Sequence, residues 1–108
     1  MAFSTQTVTA SATTTAASVQ FNRVYSVMLR APSANTDDIF VNLGGVTATS
    51  GDVRVRPNET ISISIAEVLL AVKLSGREYN ENDFIRSLSY RSNAGTQTLY
   101  FDVLRFDA

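Results

Sequence analysis

The sequence predicts an all-β fold: an antiparallel β-sandwich or jelly roll of about eight strands with an extended N-terminal arm. Three observations carry that expectation. Short runs alternate apolar and polar residues, the period of a half-buried strand. Turn residues separate those runs at about 8–12-residue spacing, the rhythm of a sandwich or barrel. The polar remainder is Ser, Thr and Asn more than charge, with β-branched residues throughout. A chain of 108 residues is one domain. It buries roughly 60–70% of its unfolded surface, enough for a core without metal or disulfide staples.

Residues 38–65 organise the chain. Residues paired across a hairpin share a face, so each proposed turn can be tested. Gly44-Gly45 as a two-residue turn sets Leu43 opposite Val46, Val41 opposite Ala48 and Ile39 opposite Ser50. Ser50-Gly51 as the next sets Ala48 opposite Val53 and Val46 opposite Val55, leaving Arg54 and Arg56 on the outer face. The expectation is a three-strand meander. The joint at Pro57-Asn58-Glu59 has two readings. A three-residue loop restores Val55 opposite Ile61, or the chain arches into a second sheet and the Ile61, Ile63, Ile65 face meets the first.

Taken in order, residues 1–18 form a Ser/Thr/Ala-rich arm and 19–108 a single β-sandwich domain. Thr5, Thr7, Thr9, Ser11, Thr13 and Thr15 alternate with smaller or apolar residues. Such a segment is either a mobile terminus or a strand that adds to a partner's sheet edge, with Phe3 and Val8 as anchors. On the second reading, deleting 1–18 leaves the domain folded and weakens its assembly. Residues 19–31 are the first firm strand, with Tyr25, Val27, Leu29 and Ala31 on one face and Val24, Ser26, Met28 and Arg30 on the other. Residues 31–37 are a loop: Pro32 ends the strand pairing, and Asn and Asp favour turns through local side-chain hydrogen bonds. Residues 66–74 fit a short helix or a strand; a turn at 66–68 and a strand at 69–74 is the preferred reading. A polar loop over 75–83, a strand over 84–91, a turn at 92–96 and a strand over 97–106 complete the chain. That last strand is apolar on both sides, with Leu99, Phe101 and Val103 on one face and Tyr100, Leu104 and Phe106 on the other. It is central between layers or covered by another subunit.

Composition narrows the chemistry. With no His and no Cys there is no imidazole base, thiol nucleophile or disulfide framework. Asp38, Asp52, Glu59, Glu67 and Asp102 fall in no acid/base motif, so the expectation is a non-enzyme without cofactor or metal. The Glu78–Asp83 cluster lacks the spacing of a calcium loop. Gly44-Gly45 and Gly51 precede no helix that could cradle phosphate. Net charge is −1, which argues against a nucleic-acid partner. No run approaches the roughly 20 apolar residues of a membrane span, and the first residues lack a signal peptide's basic start and apolar core. Arg outnumbers Lys eight to one. That skew points to packed interfaces or to codon bias. The aromatic Tyr79, in the 75–83 loop, is placed to stack on a sugar, with Arg77 beside it.

Arg30-Ala-Pro-Ser-Ala-Asn-Thr36, Ile39-Phe-Val41, Gly45-Val-Thr47, Gly51 and Val55-Arg-Pro-Asn-Glu59 before Ile-Ser-Ile-Ser-Ile65 form a layout. It resembles that of small structural proteins of tailed bacteriophages, head decoration (cement) proteins among them. The likeness is one of turns and alternation over residues 24–65. It implies a β-sandwich or jelly-roll subunit that self-associates, with a trimer favoured, and clamps the major capsid protein. On that expectation the protein is made in the host cytoplasm and sits on the phage head surface. Its partner-binding residues are then Phe3, Thr5, Thr7, Val8, Thr9, Arg77, Tyr79, Tyr100, Leu104 and Phe106. The alternative is a tail, fibre or baseplate module that binds a host-surface glycan.

Overall fold

The computed structural model describes residues 2–43, 47–49, 52–64, 66–67, 70 and 85–107. Seven strands are described: β1 (Ala2–Ala12), β2 (Ala17–Arg30), β3 (Ile39–Asn42), β4 (Val53–Val55), β5 (Thr60–Ser64), β6 (Ile85–Ser92) and β7 (Gln97–Asp107). The fold is all-β, and every pairing is antiparallel. The strands form one sheet in the order β1-β7-β2-β6-β3-β4, with β5 also on β2, curled into a half-barrel.

The curl follows from β2, which serves two halves. Its residues 26–30 pair β7 and β5, while its residues 17–24 pair β6. Val24 pairs both Ile85 and Arg105, so β6 and β7 occupy opposite edges there. Register slips on the β6 side between Gln20 and Val24 and on the β7 side between Val24 and Ser26. Arg23, within the first of these, has a φ of 55°. A side chain with positive φ breaks the alternation and sharpens the local twist. The bend therefore corrects the face assignment of the first firm strand. Val24 is buried and Tyr25 is 46% exposed, the reverse of strict alternation from Leu29 backwards.

The two halves meet through their apolar faces. In the β1-β7-β2-β5 half, Val8, Phe101, Leu29 and Ile61 are successive register partners across the four strands. In the other half Ala17, Tyr90, Val41 and Val53 play that part. Phe101 bridges the halves: its ring lies 5.6 Å from Tyr90 and 5.8 Å from Phe21, tilted or edge-on. Leu29, Ile39, Leu88, Leu99 and Phe101 have no exposed surface, and they belong to one continuous core.

Of the 1–18 segment expected as an arm, residues 2–12 form β1 and residues 17–18 open β2. From Ala2 to Ala12 each residue has a partner on β7 of the same chain, and Ala10 and Ala12 are buried. Small residues that cannot form a core alone are covered here by Leu99, Phe101 and Val103 of the adjoining strand.

The meander over 39–56 is corrected. β3 pairs β4 directly, Ile39 with Val55 and Val41 with Val53, so the described residues 47–49 form no strand between them. Their backbone is bound by side chains instead. Ala48 N–H donates to Ser89 Oγ at 3.0 Å, and Thr49 N–H to Asp52 Oδ2 at 2.7 Å. Asn42 Nδ2 holds the other Asp52 oxygen at 3.0 Å. Asp and Ser side chains here outcompete a ladder. At Pro57-Asn58-Glu59 the chain makes neither the hairpin nor a passage into a second sheet: β4 pairs β3 and β5 pairs β2, within the same curled sheet. Asn58 adopts a φ of 63°, and Arg56 N–H donates to Glu59 Oε1 at 2.9 Å to close the turn.

Ala66, Glu67 and Leu70 have helical backbone, so Leu70 does not open a strand. Ser64 begins this turn, its Oγ accepting from Glu67 N–H at 3.3 Å. Ser64-Ile-Ala-Glu67 is the Ser-x-x-Glu spacing of a helix N-cap. The rest of 69–74 lies outside the described residues, as do the 75–83 loop and the Gly44-Gly45 and Ser50-Gly51 turns.

Loops 13–16, 31–38, 56–59 and 93–96 gather at one end. Ser92 N–H donates to Thr13 O, Asn93 N–H to Asp38 O, Ala31 N–H to Glu59 O and Asn58 N–H to Pro32 O. The 93–96 turn, like that at Pro57, joins strands that do not pair with each other, since β6 and β7 lie in different halves.

Candidate functional site

Where β1, β7, β2 and β5 lie side by side, alternation that buries one face aims the other outward. The register gives that outer face three rungs. The first runs Thr5, Leu104, Ser26, Ser64. The second runs Thr7, Asp102, Met28, Ser62. The third runs Thr9, Tyr100, Arg30, Thr60. Hydroxyls occupy the two outer strands, and the larger side chains lie between them.

The centre is a polar network across three strands. Asp102 Oδ1 accepts from Thr7 Oγ1 at 2.7 Å, and its Oδ2 accepts from Arg30 Nε at 2.9 Å. The Arg30 guanidinium also lies 4.4 Å over the ring of Tyr100, its register partner. These contacts hold a long side chain flat on the sheet rather than free in solvent. The Arg30 hydrogen bond, then that of Thr7, lowers the Asp102 pKa against the opposing effect of partial burial. The same Asp102 bond raises that of Arg30. Beside the network is a shallow depression of about 410 Å³ lined by Thr5, Thr7, Met28, Asp102 and Leu104 among others. Met28 is 43% exposed on this face. An exposed Met beside a half-buried Leu and hydroxyls suits contact with another protein surface.

This face brings together five of the ten residues expected to bind a partner. Thr5, Thr7 and Thr9 are exposed on it, and Tyr100 and Leu104 are half-buried on it. Phe3 and Phe106 are register partners one rung further along; their side chains lie outside the described residues. Val8 is the exception, because it is turned to the core. Arg77 and Tyr79 lie outside the described residues. Met28, Arg30 and Asp102 were not among the expected residues. Asp102 was readable from its parity with Tyr100 and Leu104 on the same strand, whereas Met28 and Arg30 join the face only once β2 is known to pair β7.

On the outer face of the other half, Phe40 is buried between register partners Arg54 and Arg91, whose guanidinium carbons lie 5.9 and 5.7 Å from its ring centroid. Arg54 is also bridged to Asp38 at 3.5 Å. That cluster sets two guanidinium groups against a buried aromatic ring, a packing role. Among the described residues no group of His, Cys, Asp or Glu is arranged to hold a metal ion. No family model, no curated protein and no solved structure matches this chain.

Proposed function

We propose that this protein is a structural subunit that works by docking on protein through the outer face of β1, β7, β2 and β5. The observation that carries the proposal is the three-rung face, on which Met28 and Leu104 flank the fixed Thr7–Asp102–Arg30 network. Apolar contact supplies affinity, and a preorganised ion pair supplies orientation at little entropic cost. The resemblance of residues 24–65 to tailed-phage structural proteins supports the setting. In that setting the subunit self-associates and decorates the phage head, bridging neighbouring major capsid subunits without catalysing a reaction.

Immunogold labelling of purified phage particles that carry this coding sequence tests the setting. Label over the head surface is the expected result. Label at the tail moves the docking face to a tail or baseplate role, and particles free of the protein overturn the virion reading.

A further inference from the structure

The sheet has three open edges among the described residues, at β1, β4 and β5, and they are not alike. β4 is three residues long and is followed by Arg56 and Pro57; β5 is five residues long and follows Pro57 and Glu59. Short length, charge and proline are the usual guards against edge pairing. β1 has none of them. It is 11 residues long, Ala-Phe-Ser-Thr-Gln-Thr-Val-Thr-Ala-Ser-Ala, with no charged residue and no proline. Its single ladder is to β7, and that ladder runs without a register shift. Thr5, Gln6 and Thr7 are exposed in succession, so both faces of the strand are open there. Every second residue of such an edge presents N–H and C=O groups that another strand can bind.

We infer that the β1 edge pairs antiparallel with β1 of a second copy, across a two-fold axis through Thr7. Register decides this. Opposed residues must share a face, so paired residue numbers sum to an even value and the axis passes through a residue that faces its own copy. Full overlap of residues 2–12 puts that residue at Thr7, with Thr5 opposite Thr9 of the second copy. Thr–Thr cross-strand pairs are favourable, and no like charges meet because the strand has none. A charged or proline-bearing partner strand has nothing on this edge to answer it, whereas an identical strand matches it in length and hydroxyl pattern. The axis stands normal to the sheet, so the docking faces of both copies lie on one side of a continuous inter-subunit sheet. The pairing rests on the edge alone and stands or falls apart from what the outer face binds.

A cysteine scan tests it directly, since the chain has no Cys and any disulfide formed must be intermolecular. Thr7→Cys brings two thiols together across the axis, within the separation a disulfide spans. Under an added oxidant Thr7→Cys should convert to a covalent dimer, whereas Ser62→Cys, on β5 of the same face, should stay monomeric in denaturing gels. The wild-type chain should be a dimer by light scattering, and T5K/T9K, whose new charges oppose one another across the axis, should be a folded monomer. A wild-type monomer at every concentration overturns the inference. So does cross-linking of Ser62→Cys as fast as that of Thr7→Cys, or a dimer that survives T5K/T9K.

Discussion

Asn35 grips both main-chain groups of Thr98. Its Nδ2 donates to the Thr98 carbonyl at 2.8 Å, and its Oδ1 accepts from the Thr98 N–H at 2.9 Å. One side-chain amide thus supplies the rung that a neighbouring strand would otherwise give to the start of β7. Gln97 reinforces it: Thr36 N–H donates to its Oε1 at 2.9 Å, and its Nε2 donates to Ala94 O at 2.9 Å. The 31–38 loop is therefore fastened to the strand that carries the centre of the docking face. Replacing Asn35 by Asp keeps the acceptor and sets a second acceptor against the Thr98 carbonyl. The expected loss is about 1–3 kcal/mol. A lowered urea midpoint with unchanged slope is the readout.

Phe101 joins the two halves of the curled sheet, so Phe101→Ala should be among the most damaging single changes. Emptying such a site costs about 3–5 kcal/mol. Met28→Ala, on the opposite face of the sheet, should cost within about 0.5 kcal/mol, as surface changes do. Chemical denaturation of the two variants side by side gives the contrast. Equal losses would place Met28 in a core.

Acid should weaken the fold partly through Asp102. Its folded carboxyl titrates below the ordinary carboxylate value because of the Arg30 and Thr7 bonds. The stabilisation is complete above the unfolded value near about 3.9 and is lost as pH falls from there through the lowered folded value. Asp37 acts in the same direction, held down by the Asp38 N–H and then by the Asn93 amide. An ion pair as exposed as Arg30–Asp102 is screened by solvent, so its share of the stability is small. Asp102→Asn should flatten the acid limb of the stability curve without abolishing it, measured as denaturation midpoint against pH.

Deleting residues 2–12 should unfold or strongly destabilise the domain, contrary to what an accessory arm predicts. It strips β7 of a full-length partner and uncovers the side of Leu99 and Phe101 against Ala10 and Val8. Circular dichroism of the truncated chain is the check. A native β spectrum with an unchanged melting temperature would restore the arm reading.

What the sequence disclosed was local. Alternation over 97–106 put Leu99, Phe101 and Val103 on one face without saying which of two apolar faces was the core, and the odd behaviour of the Pro57 joint announced that the chain there leaves a simple two-residue hairpin. Three features were hidden for physical reasons. The face switch in β2 falls at Tyr25, the extra residue where the pairing with β7 slips between Val24 and Ser26, and local alternation does not advertise such a slip. The break at 47–49 depends on Ser89 and Asp52 reaching its backbone, the first of them distant in sequence. β1 looked too small to fold because its apolar cover comes from the other end of the chain. The helical turn after β5 was misjudged in favour of a strand from residue 69, because a run this short fits both periods. The outer face was half legible: its β1 and β7 members follow from parity, but Met28 and Arg30 join them only through a long-range pairing.

The docking face is tested most directly by co-sedimentation with purified phage heads stripped of the protein. The wild-type chain should pellet with the heads at a fixed, saturable ratio. M28K/L104K, which charges the apolar part of the face while leaving β1 and the core untouched, should remain folded in the supernatant. Equal pelleting of both chains, or failure of the wild-type chain to pellet at all, would contradict the account.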